Sequence, residues 1–317
     1  MSGLPSEFDL IGRHFRPLAG PGALDLEDDA AVLMPPPGRA LVMAADAMVA
    51  GVHYLPDDPA DGVARKLLRV NLSDLAAMGA TPLGYLLTVS APSTTPDAWF
   101  AAFAEGLAED QAEFGITLLG GDTTRTPGPV TLSLTIIGHV APGAAIRRRG
   151  AKPGDEIWVT GTIGDGALGL AVSLGKLDDP SGYLRRRYCV PMPRLGLPLA
   201  GVVAAAIDVS DGLLQDLGHL CRLAGCGAEI EAGLVPLSEA ARAAGPAWLA
   251  DCLGGGDDYE LLLAVPEGRG VALAADCAAL GVRLTRIGLF TAGPAAVRVT
   301  DAAHETITFA RHGWSHF

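Results

Sequence analysis

Six groups of acidic residues in this chain lie among glycine, serine or apolar neighbours. They are Asp28 with Asp29, Asp46, Asp74, Asp122, Asp208 with Asp211, and Asp257 with Asp258 and Glu260. A carboxylate removed from water needs a cation, hydrogen bonds or a proton, because an unpaired buried charge is costly. Only three of the 23 basic residues are lysines, so the protein's own cations match these acids poorly. Mg²⁺ would balance them and keep coordination sites for water and phosphate.

Each acidic group also has a purely structural interpretation. Ser210 or Asp211 can cap the helix that follows, and Asp122 can stabilise a glycine turn. Asp46 and Asp74 are harder to explain in this way, because apolar residues flank both of them. The combination of all six groups therefore favours a metal-dependent function.

Two further motifs are suited to phosphate. The sequence GGDTTR at 120–125 combines glycines that let a backbone approach phosphate with a carboxylate for its metal and hydroxyls for its oxygens. The triplet Arg147, Arg148 and Arg149 is either a solvated patch or a source of bidentate guanidinium contacts to phosphate. Because the chain lacks the G-x-x-x-x-G-K-[ST] pattern, metals and arginine would have to replace the lysine of that phosphate-binding loop.

A different function is suggested by the glycine pattern at Gly164, Gly166 and Gly169, which follows a predicted strand and enters a predicted helix. This is the context of a dinucleotide fold and would suit a nicotinamide-dependent oxidoreductase. That fold expects a second strand ending in an acid about 20 residues later. Residues 175–182 read GKLDDPSG, which predicts a turn instead. A non-catalytic metal-binding or nucleotide-binding module is the other alternative.

Composition limits the classes of protein that remain. A length of 317 residues favours two domains, and 49% hydrophobic against 19% charged residues predicts a globular protein with a large core. The formal charge of −13 argues against general nucleic-acid binding. No apolar run is long enough to predict a membrane span, and the first ten residues lack the features of a secretory signal. The five cysteines show no C-x-x-C spacing, which disfavours disulfides and zinc, so we expect a cytoplasmic protein.

The elements that position the acids alternate between strands and helices. The apolar run at 40–50 predicts a strand that presents Asp46, and the helical pattern starting at residue 60 places Asp74 on or beside an apolar face. A second helix begins after Pro96 and is expected to turn Asp110 away from its apolar side. Strands at 116–119 and 130–140 follow, and GGDTTR is expected in the loop between them.

The Pro, Gly and Arg-rich stretch at 141–153 predicts a domain boundary. We expect an N-terminal domain at 1–145 and a C-terminal α/β domain at 150–317. In the second half, strands are predicted at 156–160 and 261–265 and helices at 165–174, 271–280 and within DVSDGLLQDLGHL. The alternation predicts an α/β or α+β fold.

Seven motifs, taken together and in order, resemble the thiamine-monophosphate kinase family, whose members use ATP to make thiamine diphosphate. The motifs are DDAAVL, DAMVAGVHY, NLSDLAAMGA, GGDTTR, AIDVSDGLLQDLGH, GGDDYEL and the terminal GWSHF. The resemblance implies the fold shared with aminoimidazole ribonucleotide synthetase. In that fold the N-terminal domain pairs with its twin in a homodimer to form a β-barrel, and a C-terminal α/β domain packs beside it.

The resemblance also implies roles for individual residues. The implied Mg²⁺ ligands are Asp28, Asp46, Asp74, Asp122, Asp208 and Asp211. The implied ATP contacts are Gly121, Arg148 and Ser210, and the implied thiamine monophosphate contacts are His53, Glu260 and Trp314. The mechanism that it implies is direct transfer of the γ-phosphoryl group without a phosphoenzyme. The sequence agrees, since it contains no recognisable pair of an activated nucleophile and its base.

Three positions depart from the family pattern. Glu27 replaces a glycine, Ala44 and Ala45 stand where a hydroxyl residue often precedes the strand aspartate, and Ser315 replaces an aspartate. The alanines matter most, because they remove a hydroxyl ligand to one metal ion. The number of Mg²⁺ ions is therefore left open, while the hypothesis predicts that the six aspartates converge around several of them.

Overall fold

The computed structural model describes residues 7–310 and 312–315, so the last two residues of the GWSHF motif lie outside the described part. The chain forms two compact units. The first holds the described residues through Leu75 together with Ala80–Gly143, and the second holds Ala76–Gly79 together with the described residues from Ala144 onward. The short segment Ala76–Gly79 joins the second unit, where Ile146 donates its backbone N–H to the carbonyl of Met78 at 3.1 Å.

The first unit is a four-stranded sheet with helices. Its elements are α1 (Glu7–Leu10), β1 (Ala40–Val49), α2 (Ala60–Ala77), β2 (Thr81–Ala91), α3 (Asp97–Phe114), β3 (Thr117–Arg125) and β4 (Thr131–Val140). The strand order is β1-β4-β2-β3, in which β4 is antiparallel to β1 and β2, and β2 is parallel to β3. Within the described residues this sheet is open and does not close into a barrel by itself.

Strand β4 shows why one face of this sheet is covered. Its residues alternate in burial, and Leu132, Leu134 and Ile136 are fully buried. Such alternation with a period of two is typical of a strand that packs on one side only. Leu75 of α2 lies against this strand, since a Cβ atom built on Gly138 would come within 2.9 Å of it. The opposite face of the sheet carries partly exposed side chains.

The two long helices of the first unit are joined by a buried ion pair that corrects one prediction. Arg69 of α2 is 1% exposed and donates from Nε and Nη2 to the two carboxylate oxygens of Asp110 in α3, at 2.7 and 2.8 Å. Asp110 is fully buried. The prediction that Asp110 faces away from the apolar side was wrong, because a bidentate arginine on the neighbouring helix satisfies its charge.

The second unit is a seven-stranded sheet with six helices among the described residues. Its strands are β5 (Glu156–Thr160), β6 (Ala205–Asp208), β7 (Gly227–Glu231), β8 (Leu261–Val265), β9 (Leu284–Thr291), β10 (Val297–Thr300) and β11 (Thr306–Ile307). Its helices are α4 (Asp165–Ser173), α5 (Tyr183–Cys189), α6 (Leu213–Ala224), α7 (Glu239–Ala244), α8 (Leu249–Gly254) and α9 (Gly270–Ala279). The strand order is β11-β10-β7-β9-β5-β8-β6, and β5 is antiparallel to both of its neighbours.

The predicted mixed α/β class is confirmed, and β1, α2, β5 and β8 lie within about a residue of the predicted bounds at most of their ends. The placement of GGDTTR was wrong, because the motif belongs to β3 rather than to a loop. Its glycines allow close strand packing: a Cβ atom at Gly121 would lie 1.7 Å from the carbonyl oxygen of Leu87 in β2. A side chain at this position would therefore push β3 away from β2.

The sequence predicted neither a membrane span nor disulfide bonds, and the described residues bear on both points. Among the helices of the described part, none combines the length and the apolar character that crossing a bilayer requires. All five cysteines lie in the described part and carry free thiols, four of them buried and Cys189 half-buried.

Candidate active site

A cavity of about 540 Å³ in the first unit brings together three of the predicted site residues. Asp28, Gly121 and Asp122 line it, and so does a set of apolar side chains that includes Phe15 and Leu118. Asp28 and Asp122 are both exposed to solvent. A concave site with apolar walls and carboxylates on its rim can take a flat heterocycle that carries phosphate and its metal ion.

One amide side chain holds the backbone of Asp46 and lies on the helix that carries Asp74. Asn71 is fully buried on α2, its Oδ1 accepts the backbone N–H of Asp46 at 3.2 Å, and its Nδ2 donates to the carbonyl of Leu67 at 2.9 Å. Asp74 follows three residues later on the same helix, and residues with that spacing share a helix face. Burial raises the pKa of Asp46. A nearby cation would stabilise the ionised form of this buried carboxylate.

His53 has a fixed ring orientation. Its Nδ1 accepts the backbone N–H of Val49 at 2.9 Å, so the neutral ring carries its proton on Nε2. The buried Lys66 donates to the carbonyl oxygen of His53 at 3.2 Å and holds this residue from the backbone side. Neither His53 nor Asp46 nor Asp74 lines the cavity described above.

In the second unit, β6 ends at Asp208, and the tight turn that follows carries Ser210 and Asp211. Asp216 holds this turn from α6, because its Oδ2 accepts the backbone N–H groups of Ser210, Asp211 and Gly212 at 3.1, 3.1 and 3.2 Å. Burial, followed by the charges of Asp208 and Asp211, raises the pKa of Asp216 to about 8. Three carboxylates so close together favour either a proton on one of them or a bound cation.

The turn and the following helix α6 together carry a group of side chains with the chemistry of metal ligands. One ligand atom each from Asp211, Asp216 and His219 lies within 4.8 Å of the others. Arg148 also lies near this group, since its charge lowers the pKa of His219 while that of Asp211 raises it, with burial the largest cause of the net lowering. The predicted ATP contacts Arg148 and Ser210 therefore lie in the same neighbourhood as the predicted metal ligands Asp208 and Asp211.

Trp314 is attached to this turn through its backbone. It donates its N–H to the carbonyl oxygen of Asp211 at 3.0 Å and accepts a hydrogen bond from Gln215 Nε2 at 2.6 Å. Its side chain stays 54% exposed, so the ring is accessible to a ligand. The structure thus places the predicted substrate contact beside a predicted metal ligand.

Glu260 has a different environment from the other predicted contacts. It is fully buried and accepts hydrogen bonds from Arg194 Nε and Nη2, both at 2.6 Å, from Arg187 at 3.0 Å and from Thr160 at 2.7 Å. Its backbone carbonyl accepts the N–H of Val209, directly before the Ser210 turn. Protein donors therefore engage both carboxylate oxygens, and its predicted contact with substrate remains a prediction.

The glycine pattern at Gly164 does not form a dinucleotide site. The backbone N–H groups of Gly164 and Gly166 donate to the carboxylate of the fully buried Asp258, at 2.7 and 3.0 Å. Asp258 thus occupies the position in which a dinucleotide fold would hold pyrophosphate. Gly169 allows close helix packing, because a Cβ atom there would lie 2.2 Å from the carbonyl oxygen of Leu184. With β5 antiparallel to its neighbours, the oxidoreductase alternative fails.

Four residues that contact or lie beside the predicted site residues were not predicted from the sequence. Asp216 and His219 have a signal in the sequence, since the spacing i, i+3 places them on one face of α6 near the preceding Asp211. Asn71 and Gln215 have no such signal, because an amide is common on helices and its partners are identified only by the fold.

Comparison with known proteins identifies the family. Residues 27–140 match the family model "AIR synthase related protein, N-terminal domain", and residues 152–300 match "AIR synthase related protein, C-terminal domain". Thiamine-monophosphate kinase of Caulobacter vibrioides is 47% identical over 326 aligned residues, which cover 98% of this chain and 91% of the relative.

Solved structures agree with the sequence matches. The crystal structure of thiamine-monophosphate kinase from Stenotrophomonas maltophilia K279a is 40% identical, with a TM-score of 0.84 and coverage of 93% of this chain and 96% of that one. A structure described as AaThiL complexed with AMPPCP and TMP is 26% identical, with a TM-score of 0.78 and coverage of 92% and 91%. With both domain models matched and this identity over nearly its whole length, the chain belongs to the thiamine-monophosphate kinase family.

Proposed function

We propose that the protein uses ATP to phosphorylate thiamine monophosphate to thiamine diphosphate. The observation that carries this function is the 47% identity to a thiamine-monophosphate kinase over 98% of the chain. The related structure that contains AMPPCP, an analogue of ATP, together with TMP supports both substrates. No residue has to act as a covalent nucleophile, because the acceptor is a phosphate monoester that is already largely ionised near pH 7.

The nucleotide is proposed to bind at the cavity of the first unit. Its apolar lining suits a purine ring, and Gly121 lets the backbone of β3 approach phosphate because no side chain intervenes. Arg148 and Ser210 in the second unit are the proposed further contacts to phosphate. Arg148 is exposed and close enough to His219 to affect its pKa, so its guanidinium is available to an anion.

The donor set fits Mg²⁺. Carboxylates are the ligands that this ion prefers, and the raised pKa values of Asp46 and Asp216 show that both environments disfavour an uncompensated negative charge. The proposed ligands are Asp28, Asp46, Asp74 and Asp122 in the first unit and Asp208 and Asp211 in the second. When bound, the ions would neutralise charge between two polyanionic substrates. We propose that several ions bind. One of them would have one hydroxyl ligand fewer than in the family pattern, because Ala44 and Ala45 have no hydroxyl group.

The acceptor is proposed to contact His53 and Trp314, with Glu260 as a third predicted contact. His53 is proposed to contact the acceptor through its ring, whose Nδ1 accepts the backbone N–H of Val49 at 2.9 Å. The exposed ring of Trp314 can stack on the cationic thiazolium, a contact worth about 0.5–2 kcal/mol. These residues would orient the acceptor phosphate toward the γ-phosphoryl group of ATP for in-line transfer.

We further propose that the protein is a homodimer in which residues 1–145 form the dimerisation domain and two open sheets make a β-barrel. The uncovered face of the first sheet supports this, because Leu41 and Met43 on β1 are 44% and 63% exposed and Leu86 on β2 is 39% exposed, with β4 between the two strands. Ile137 of β4 pairs with Met43 and extends the apolar surface. Such a patch is typical of a protein interface. A cytoplasmic location remains a prediction from the sequence.

The function is tested by measuring ADP release with MgATP and a panel of phosphorylated acceptors that includes thiamine monophosphate. We expect turnover with thiamine monophosphate, formation of thiamine diphosphate detected by mass spectrometry, and loss of activity with EDTA. Nucleotide binding without ADP release for any acceptor would instead indicate the non-catalytic module. Preference for another phosphate ester would replace the assigned substrate.

A further inference from the structure

The side chain of Gln215 joins two parts of the candidate site in the second unit. Its Nε2 atom donates to Oδ2 of Asp211 at 3.1 Å and to the carbonyl oxygen of Trp314 at 2.6 Å. Trp314 in turn donates its own N–H to the carbonyl oxygen of Asp211 at 3.0 Å. Asp211 and the Gly313–Trp314 segment are therefore connected both directly and through one amide group.

The fit between Gln215 and this segment is close. A Cβ atom at Gly313 would lie 2.4 Å from both Cβ and Oε1 of Gln215, so the segment can approach α6 only with glycine at that position. Gln215 follows Asp211 by four residues and lies in the first turn of α6. The segment just before α6 is fixed by Asp216, which accepts the backbone N–H groups of residues 210, 211 and 212. The amide of Gln215 thus projects from a rigid support.

We propose that Gln215 is a positioning residue for the phosphate acceptor, because it holds the Gly313–Trp314 segment against the Asp211 turn. The proposal rests on the proposed function in so far as Trp314 contacts thiamine monophosphate. An amide NH₂ group has two N–H donors, which match one carboxylate oxygen and one carbonyl oxygen. Glutamate would bring a second negative charge to Asp211 and would supply no donor. The Trp314 ring remains exposed while its backbone is held on both its N–H and its C=O.

The first experiment compares Gln215→Leu and Gln215→Glu with the wild-type protein in steady-state kinetics. Losing the two hydrogen bonds is expected to raise KM for thiamine monophosphate about tenfold, with KM for ATP and kcat changed by less than about twofold. Leu223→Ala, at the exposed far end of the same helix, is the matched control and is expected to change neither KM. Equal increases in both KM values would overturn the proposal, since general loosening of the turn would then explain the result.

A double-variant cycle tests whether Gln215 acts through Trp314. If it does, Gln215→Leu combined with Trp314→Ala should have the same KM for thiamine monophosphate as Trp314→Ala alone, within about twofold. If the increase in KM for thiamine monophosphate in the double variant equals the product of the two single increases, Gln215 acts independently of Trp314. That result would overturn the proposal.

A measurement without catalysis separates this inference from the proposed function. Hydrogen exchange followed by mass spectrometry should show faster exchange of the peptide that contains the Trp314 N–H in Gln215→Leu, and an unchanged rate in Leu223→Ala. Faster exchange in a protein that fails to turn over thiamine monophosphate would refute the proposed substrate but support the attachment by Gln215. Unchanged exchange would overturn the inference whatever the activity.

Discussion

Asn71 accepts the backbone N–H of Asp46 on its Oδ1 atom at 3.2 Å, which ties strand β1 to helix α2 at the point where each contributes an aspartate to the candidate site. The other end of the amide donates to Leu67 within α2, so the side chain has a single orientation. The backbone of Asp46 is therefore held against α2, the helix that also carries Asp74.

We expect Asn71→Leu to weaken the response to Mg²⁺. The variant leaves the N–H of Asp46 without its acceptor and should cost about 1–3 kcal/mol of unfolding free energy. The Mg²⁺ concentration for half-maximal activity should rise about tenfold, as when the support of a metal ligand is removed. Gln111→Leu is the control, because its amide also links two elements of this unit, through Leu18 and Tyr85. An equal Mg²⁺ shift in that control would contradict a specific role for Asn71.

Two aspartates serve to test the proposed metal ligands directly. Asp74→Asn and Asp211→Asn are each expected to lower kcat by at least about 100-fold, because an amide contributes no charge to offset the phosphates. Circular dichroism should show an unchanged fold. Asp276→Asn, exposed on α9, should retain wild-type turnover. Normal turnover in Asp74→Asn or Asp211→Asn would show that the carboxylate in question has only a structural role.

The buried Asp258 predicts a pH-dependent difference in stability. Burial raises its pKa well above the ordinary value, with the N–H groups of Gly164 and Gly166 opposing that shift. The folded protein then binds this proton more tightly than the unfolded chain, so the contribution of Asp258 to stability falls as pH rises above about 4. Asparagine at this position does not titrate.

Asp258→Asn should therefore be less stable than wild type by about 1–3 kcal/mol near pH 5, because one N–H loses its acceptor, and this deficit should shrink toward pH 8. Urea unfolding at four pH values measures it, with the exposed Asp276→Asn as the reference for general pH effects. A deficit that stays constant or grows with pH would show that Asp258 is ionised throughout this range.

If the apolar face of the first sheet forms the dimer interface, a charged residue placed on that face should prevent dimerisation. Met43 is 63% exposed on β1, an edge strand of this sheet, so Met43→Asp should convert the proposed dimer into a monomer in size-exclusion chromatography with light scattering. Val271→Asp is the control, since Val271 is 79% exposed on α9 in the second unit. A monomeric wild-type protein, or a Met43→Asp dimer of undiminished stability, would exclude this face as the interface.

Sequence periodicity predicted the strands and helices whose buried positions are occupied by apolar residues. The apolar run of β1, the helical spacing of α2 and the fully apolar β8 are visible because each residue's own type reports its environment. Strands β7 and β10 were not predicted. They are short, and their position in the sheet depends on partners far away in the chain.

The same limit explains the errors at polar residues. Because Asp110 is charged, the sequence predicts that it faces solvent. It is buried instead, because Arg69 from another helix donates hydrogen bonds to its carboxylate. Gly164 and Gly166 fit a phosphate-binding pattern, but Asp258, more than ninety residues away, accepts their N–H groups. In each case the partner decides the role, and the partner is remote in sequence.

The amino-acid sequence alone predicted a divalent cation, because carboxylates in glycine-rich and apolar surroundings favour one, and its motifs identified the family. Tertiary structure alone decided which neighbours hold those carboxylates: Asn71 beneath Asp46, Asp216 beneath Ser210 and Asp211, and Gln215 between Asp211 and Trp314. The physical reason is that a hydrogen bond requires its two atoms within about 3 Å in the right direction. Only the folded chain brings a donor from one segment to an acceptor in another.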